Sequence, residues 1–357
     1  MTDISVELLT KAQYFRNLKK RISSTEKGRI VVATMTFRPD LEEIKQLLDE
    51  LGGAAERGVA VTLFVDSINF MVGEKRVLGP LFFNKGELAN RYLLPQFRTI
   101  YVALNRLKSR GGHYVILNVP SKKFSNIYAG RSHMKFTVIN DQVYVGGCNL
   151  SSKEQLDIMV RWKSKKTADY LVTLSQGITE TKGNVHKSLA GKDARFAIKK
   201  NAALLLDAGT PNQSLIMNTA LKMIDMSKNN IFITTQFFVN KIIAEHLWRA
   251  ERRGVQVTII YNHPKNHHTL ERIMVNSIIL RERRRLPKIF FQERLDPDSK
   301  YLHAKLLITD NTLLAGSHNY FPLLIHFGTA ELCIQINNLQ IAQYAKTMLL
   351  QQLRSDI

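Results

Sequence analysis

Only two cysteines, Cys148 and Cys333, occur in the 357 residues. Two thiols make no disulfide framework, and neither has a partner at metal-ligand spacing, so a stapled miniature fold and a cysteine-based zinc module are both excluded. Long apolar runs are missing as well: no stretch approaches the roughly 20 residues that cross a bilayer. The opening "MTDISVELLTKAQYF" lacks the basic-then-apolar layout of a secretory signal. The expectation is a soluble, cytoplasmic chain that reaches a membrane only peripherally, from the inner face. Acidic residues are the third shortage, 30 against 51 Lys and Arg, for a net charge of +21. Such a surface attracts polyanions, either nucleic acid or an anionic lipid surface, and charge alone does not separate the two. Apolar residues at 45% argue against extended disorder, and the length suits two domains or one two-lobed unit.

What the chain does have is a repeat. "GRIVVATMTF" (28–37) leads through an amphipathic stretch to "GVAVTLFVD", ending at residue 66, and "NNIFITTQFF" (229–238) leads likewise to "GVQVTIIYN", ending at 262. Each copy is a β-rich run, a helical run and a second β-rich run, the pattern of a βαβ unit in a sheet covered on both faces. Gly58 and Gly254 stand where a left-handed residue ends each helix. A basic amphipathic helix is expected before each copy. One spaces Leu8, Leu9, Ala12, Phe15, Leu18 and Ile22 on a core-facing side, the other Leu215, Met217, Leu221 and Ile224.

Beyond each unit the repeat continues as "HMKFTVINDQVYVGGCN" (133–149) and "HAKLLITDNTLLAGSHN" (303–319). A constant offset of 170 aligns His133 with His303, Lys135 with Lys305, Gly146 with Gly316 and Asn149 with Asn319. Both runs alternate around Asn140-Asp141 or Asp310-Asn311, so each reads as a β-hairpin. Side chains two apart on a strand share a face, so each motif presents an imidazole and an ammonium together, with a carboxamide from the neighbouring strand end. Two such strands across a pseudo-twofold axis would gather two histidines, two lysines and two asparagines. That set suits a phosphate, with cations and amides on the non-bridging oxygens, one imidazole to attack phosphorus and one to protonate the departing oxygen.

These stretches resemble the paired His-x-Lys-x4-Asp-x5-Gly-[Ser/Gly]-x-Asn motifs of the phospholipase D superfamily. The second copy fits throughout, at His303, Lys305, Asp310, Gly316, Ser317 and Asn319; the first has Asn140 at the Asp position and Asp141 after it. The resemblance implies an α/β fold of two pseudo-twofold-related lobes, each a mixed sheet flanked by helices, with the active site between them. The lobes are expected at 1–165 and 206–357, joined by a polar, basic segment at 166–205, as a monomer that is an internal pseudo-dimer. It also implies two-step transfer without metal or cofactor, His133 as nucleophile and His303 as acid and base. Asp157 and Glu331 are candidate carboxylates that orient the rings, with Glu331 serving His133 and Asp157 serving His303 across the lobes.

Within the superfamily, "RSHMK", "GGCN" and "TTQFF" look most like bacterial cardiolipin synthases, with Arg131, Gly147 and Ser317 as candidate substrate contacts. The substrate is then an anionic phospholipid at a membrane surface. The alternative is a nuclease or phosphodiesterase acting on nucleic acid; the charge fits it equally, but no nucleic-acid module or aromatic stacking cluster is recognisable. A third reading is a non-catalytic binding protein. His263, His267 and His268 lack an acid or thiol at ligand spacing and are read as solvated or substrate-facing. The charge runs 161–166 and 281–288 are read as solvated faces or as a grip on an anionic surface. The longer first copy, with "GPLFFNKGELANRYLLPQF", is read as packing or as a contact near the site mouth. Replacing His133 by Asn is expected to abolish trapping of labelled phosphorus on histidine. Label retained by that variant would move the nucleophile elsewhere.

Overall fold

Alternation and β-branching turn the apolar runs into two seven-stranded sheets, seen in a computed structural model. It describes residues 4–70, 82–83, 95–119, 125–126, 129–151, 155–237, 240–267, 272–273, 276–277, 280, 300–320 and 325–354. Most of the 79–97 stretch, all of 281–288 and His268 lie outside the described residues.

The first sheet comprises β1 (Val6–Thr10), β2 (Arg29–Thr34), β3 (Ala60–Asp66), β4 (His113–Leu117), β5 (Phe136–Ile139), β6 (Gln142–Gly146) and β7 (Ile158–Lys163), in the order β1-β7-β6-β5-β2-β3-β4. The second comprises β8 (Ala194–Lys199), β9 (Ala202–Ala208), β10 (Asn230–Thr235), β11 (Gln256–Tyr261), β12 (Leu306–Thr309), β13 (Thr312–Gly316) and β14 (Ala330–Asn337), in the order β8-β9-β14-β13-β12-β10-β11. In each, a parallel βαβ pair (β2 with β3, β10 with β11) meets an antiparallel meander (β5-β6-β7, β12-β13-β14). The six shared strands follow one topology, so the repeat is the fold. Strand β4 is added in the first lobe and β8 in the second.

Helices α1 (Lys11–Ser23), α2 (Glu42–Glu56) and α3 (Pro95–Ser109) cover the outer face of the first sheet. Then α4 (Lys165–Glu180) and α5 (Val185–Leu189) join the lobes. Helices α6 (Leu215–Met226) and α7 (Lys241–Arg252) cover the second sheet, and α8 (Leu339–Arg354) closes the chain. Residues 6–10, expected to begin the first amphipathic helix, form β1 instead, because "VELLT" pairs with β7 from Val6↔Trp162 to Thr10↔Ile158. The helix starts at a capping box, in which the Thr10 hydroxyl accepts from Gln13 N and the Gln13 side chain accepts from Thr10 N. Its buried side carries Tyr14, Phe15, Leu18 and Ile22, while Ala12 is exposed. Gly58 and Gly254 are left-handed, both at φ +87°, just beyond α2 and α7.

The two inner faces share one core. Phe136, Val138, Val145 and Val160 of the first sheet and Leu306, Leu313, Leu332 and Ile334 of the second lie in it. So do Leu171 of α4 and Ala345 and Leu349 of α8. The segment 166–205 is therefore mostly regular structure, α4 packing in the common core and β8 edging the second sheet. Among the described residues no helix is long and apolar enough to cross a membrane. Because the core belongs to both lobes, the chain is expected to unfold in one transition. Leu332→Ala, at a fully buried position, should lower its stability by about 2–5 kcal/mol without splitting that transition. Two calorimetric peaks, only one of them displaced, would show independent lobes.

Candidate active site

The His, Lys and Asn of each motif, with the carboxylate that follows, lie at the same end of the strands of their sheet. His133 and Lys135 precede β5, Asn149 follows β6 and Asp157 precedes β7; His303, Lys305, Asn319 and Glu331 repeat this on β12, β13 and β14. At that end the main chains of the two lobes join. The His133 amide donates to Ala330 O at 2.8 Å and Ala330 N to Arg131 O at 2.9 Å. Across the pseudo-twofold, His303 N donates to Leu156 O at 2.8 Å and Leu156 N to Tyr301 O at 2.9 Å. Each histidine is thus carried on a short parallel bridge to the other lobe, Ser132↔Ala330 and Leu156↔Leu302.

That bridge sets the carboxylates. Glu331 reaches His133, its Oε2 at 2.9 Å and Oε1 at 3.1 Å from Nδ1, and Asp157 Oδ2 lies 2.6 Å from Nδ1 of His303. Each pair crosses between lobes. With Nδ1 occupied, the Nε2 atom of each ring has no hydrogen-bond partner among the described residues, and it is the atom available for chemistry. Lys135 Nζ donates to the carbonyl of His133 at 2.8 Å, and Lys305 Nζ to that of His303. Asn149 Oδ1 accepts from Thr36 N at 3.1 Å, whereas Asn319 Oδ1 is buried without a partner among the described residues.

Burial governs the protonation of these groups. It pushes the Asp157 and Glu331 carboxyls up, but the His and Lys groups beside them prevail and hold both at about 2. Burial, then Lys305, brings His303 down to about 3; burial also lowers His133, against the pull of Glu331. Lys135 falls to about 7 through burial and the nearby charge of Lys305, and Lys305 falls to about 8 through burial. Two buried ammonium groups that repel each other form a place an anion would stabilise.

Other predicted residues stand elsewhere. Asp310 caps the hairpin turn at φ +48°, its carboxylate accepting from the amides of Lys228, Asn229 and Asn230. It lies about 16 Å of strand beyond Lys305. Asn140 does the same at φ +56°, accepting from Arg29 N at 3.0 Å, so an amide serves the turn where the motif has an acid. Arg131 is buried, with Nη1 on Asp66 Oδ1 at 3.1 Å and Ser67 Oγ at 2.9 Å and Nη2 on Asn118 O at 3.1 Å. It anchors the arm that carries His133. Ser317 donates its hydroxyl to Glu331, and a Cβ on Gly147 would come within 2.2 Å of Asp157 Oδ1; both residues back the carboxylates.

Sequence reasoning missed three residues. Asp66 Oδ2 accepts from Ser132 N at 2.9 Å, and Asn262 Oδ1 from Leu302 N at 2.8 Å, equivalent clamps at the ends of β3 and β11. Their matched places at the ends of the two βαβ copies were the available signal. His318, between Ser317 and Asn319, is buried and brought to about 4 chiefly by that burial, its Nδ1 accepting from Tyr320 N at 3.0 Å. Among the described residues no group of three or more His, Cys, Asp or Glu could hold a metal ion.

Residues 220–352 match the family described as cardiolipin synthase, PLD-like domain. A cardiolipin synthase of Clostridium perfringens (strain SM101 / Type A) is 24% identical over 320 residues, and one from strain 13 is 24% identical over 328. Each match covers 84% of this chain, which spans 60% of the length of those curated relatives. In fold, the chain is similar to the phosphatidylserine synthase of Haemophilus influenzae Rd KW20, with a TM-score of 0.71 and 14% identity over 98% of this chain and 86% of that one. It is also similar to a polyphosphate kinase from Porphyromonas gingivalis, with a TM-score of 0.59 and 13% identity over 98% of this chain and 50% of that one.

The crossed pairs predict acid lability with a definite sign. Glu331 stays ionised to about pH 2 in the folded chain against an ordinary 4.5, and His303 stays neutral to about 3 against 6.5. Both are depressed, so the unfolded chain takes up protons first and stability falls as pH drops through these windows. Denaturant titrations should show a decline beginning near pH 6.5 and steepening below about 4.5, with Glu331→Gln flattening the lower part. An unchanged slope in that variant would contradict the pairing.

Proposed function

We propose that the chain is a member of the phospholipase D superfamily and, within it, a phosphatidyltransferase of the cardiolipin synthase kind. It moves a phosphatidyl group from one anionic phospholipid to a hydroxyl of another. The observation that carries this reading is the pair of buried imidazoles, each with Nδ1 on a carboxylate of the opposite lobe and Nε2 without a partner among the described residues.

In the first displacement Nε2 of His133 attacks phosphorus. A P–N bond forms, the P–O bond to the leaving alcohol breaks, and the departing oxygen takes the proton from Nε2 of His303. In the second, Nε2 of His303 removes the proton of the acceptor hydroxyl, whose oxygen attacks phosphorus, and the P–N bond breaks to restore His133. Glu331 keeps the attacking ring in the tautomer that exposes a lone pair at Nε2 and balances the charge that develops on it. His303 must carry a proton when substrate binds, and the negative charge of the phosphodiester supplies the field that raises its proton affinity. Lys135 and Lys305 hold the non-bridging oxygens, with Asn149 and Asn319 as the amide contacts.

The net charge of +21 supports work at an anionic lipid surface, where each Lys or Arg close to the headgroups contributes about 1 kcal/mol. The nearby lysines take the electrostatic part that a metal plays in other phosphoryl enzymes, so no added metal is required. Phosphatidylglycerol vesicles incubated without added metal should yield cardiolipin and free glycerol in equal amounts, while single-stranded DNA stays intact. Cleaved DNA beside inert lipid would replace this reading with a nuclease.

A further inference from the structure

The two halves of the site share their histidines, lysines and asparagines but differ in the buried charge beside each carboxylate. Strands β1 and β9 are equivalent, each lying against the strand that carries a carboxylate at its start. On β9, Asp207 stands directly opposite Glu331. On β1, Thr10 stands opposite Ile158, and the next residue, Lys11, reaches the segment that leads into Asp157. Lys11 is 2% exposed, and its Nζ donates to Gln155 Oε1 at 3.1 Å and Ser151 Oγ at 3.4 Å. Asp207, also 2% exposed, accepts from Ile216 N at 3.0 Å and from the Ser214 hydroxyl at the start of α6. One carboxylate therefore has a buried cation for a neighbour, and its counterpart has a buried carboxyl.

Resting on the two-histidine mechanism above, we infer that Lys11 is a positioning residue that assigns the two rings their tasks, its ammonium beside Asp157 making His303 the proton donor and leaving His133 as the attacking base. The physical reason is competition for one negative charge. A carboxylate partly neutralised by an ammonium stabilises an imidazolium less well, so the ring it holds releases its proton more readily. Glu331 meets no second cation of this kind from the β9 side, so the ring it holds keeps more basicity for attack at phosphorus.

The groups facing each partner agree with that direction. Asp157 faces His303, Lys305 and Lys11, with the Cys148 thiol pushed up by burial and hence uncharged. His303 faces Lys305, Asp157 and Lys135, and lies far below the ordinary histidine value. Glu331 faces His133, His318 and Lys135. Asp207, driven up to about 7 by burial with Asp193 and Glu331 adding, is largely protonated where the rings titrate and contributes no cation. Burial lowers the proton affinity of Lys11 itself, and Cys148, Asp157 and Glu43, which it faces, pull the other way.

The test reads the rings directly in the full chain, by 15N-histidine NMR titration with and without saturating inorganic phosphate, assigned through His133→Asn and His303→Asn variants. Lys11→Met and Lys11→Gln should each raise the His303 midpoint by about one pH unit and leave His133 in place, while Lys11→Arg should titrate as the native chain does. The Gln variant keeps a donor for Ser151 and Gln155, so an effect there belongs to charge. With phosphatidylglycerol as substrate, the alkaline limb of kcat should move up by the same amount at constant KM. A His303 midpoint unmoved in the Gln variant, or equal shifts in both rings, would overturn the inference. The titration without phosphate needs no turnover, so inert lipid would count against the proposed activity and not against Lys11.

Discussion

The structure turns on two hydrogen bonds that cross between lobes, Glu331 to His133 and Asp157 to His303. A carboxylate buried to this degree is costly unless something shares its charge, and here the partner sits on the other repeat. Each lobe gives its own acid a neutral donor, Ser317 for Glu331 and the Ile158 amide for Asp157, but the imidazole comes from the other lobe. The main-chain bridges at Ala330 and Leu156, the common core and the clamps from Asp66 and Asn262 all bear on the same task, which is to hold two strand starts at a fixed separation. The pseudo-twofold axis is thus an electrostatic requirement as much as an architectural one.

Much of this was legible because the chain states it twice. The constant offset of 170 picks out both motifs, and the βαβ copies give the sheet order around them. Local rules served well where one neighbour decides the outcome, as at Gly58, Gly254 and the two hairpin turns. They served less well where a distant strand decides. "VELLT" has apolar residues that fit either a helix face or a strand, and only the presence of β7 alongside selects the strand. Arg131 and Ser317 carry groups suited to phosphate, yet each is engaged by a residue whose proximity depends on packing, Asp66 for one and Glu331 for the other. His318 was visible in the string but had no counterpart in the first motif, where Cys148 stands, and a comparison of repeats passes over what is not repeated.

The frame itself says little about substrate. It is shared with proteins named as a phosphatidylserine synthase and a polyphosphate kinase, at 14% and 13% identity. What such a frame supplies is a dry place where two lysines lose much of their preference for a proton and two rings are fixed by one nitrogen each. Substrate choice then falls to residues outside the repeated frame, in a chain whose net charge is +21.

The carboxylates and the residues behind them are matched in length. Asp157 is short and lies against Gly147, where even a methyl group would collide; Glu331 is longer by one methylene, and the hydroxyl of Ser317 meets it. Both members of the pair are smaller on the Asp157 side than on the Glu331 side, so each carboxylate is fitted to the residue behind it. Drift at either position is therefore epistatic: an Asp-to-Glu change is tolerated only with a partner change nearby, and the two halves, though copies, can no longer exchange single residues.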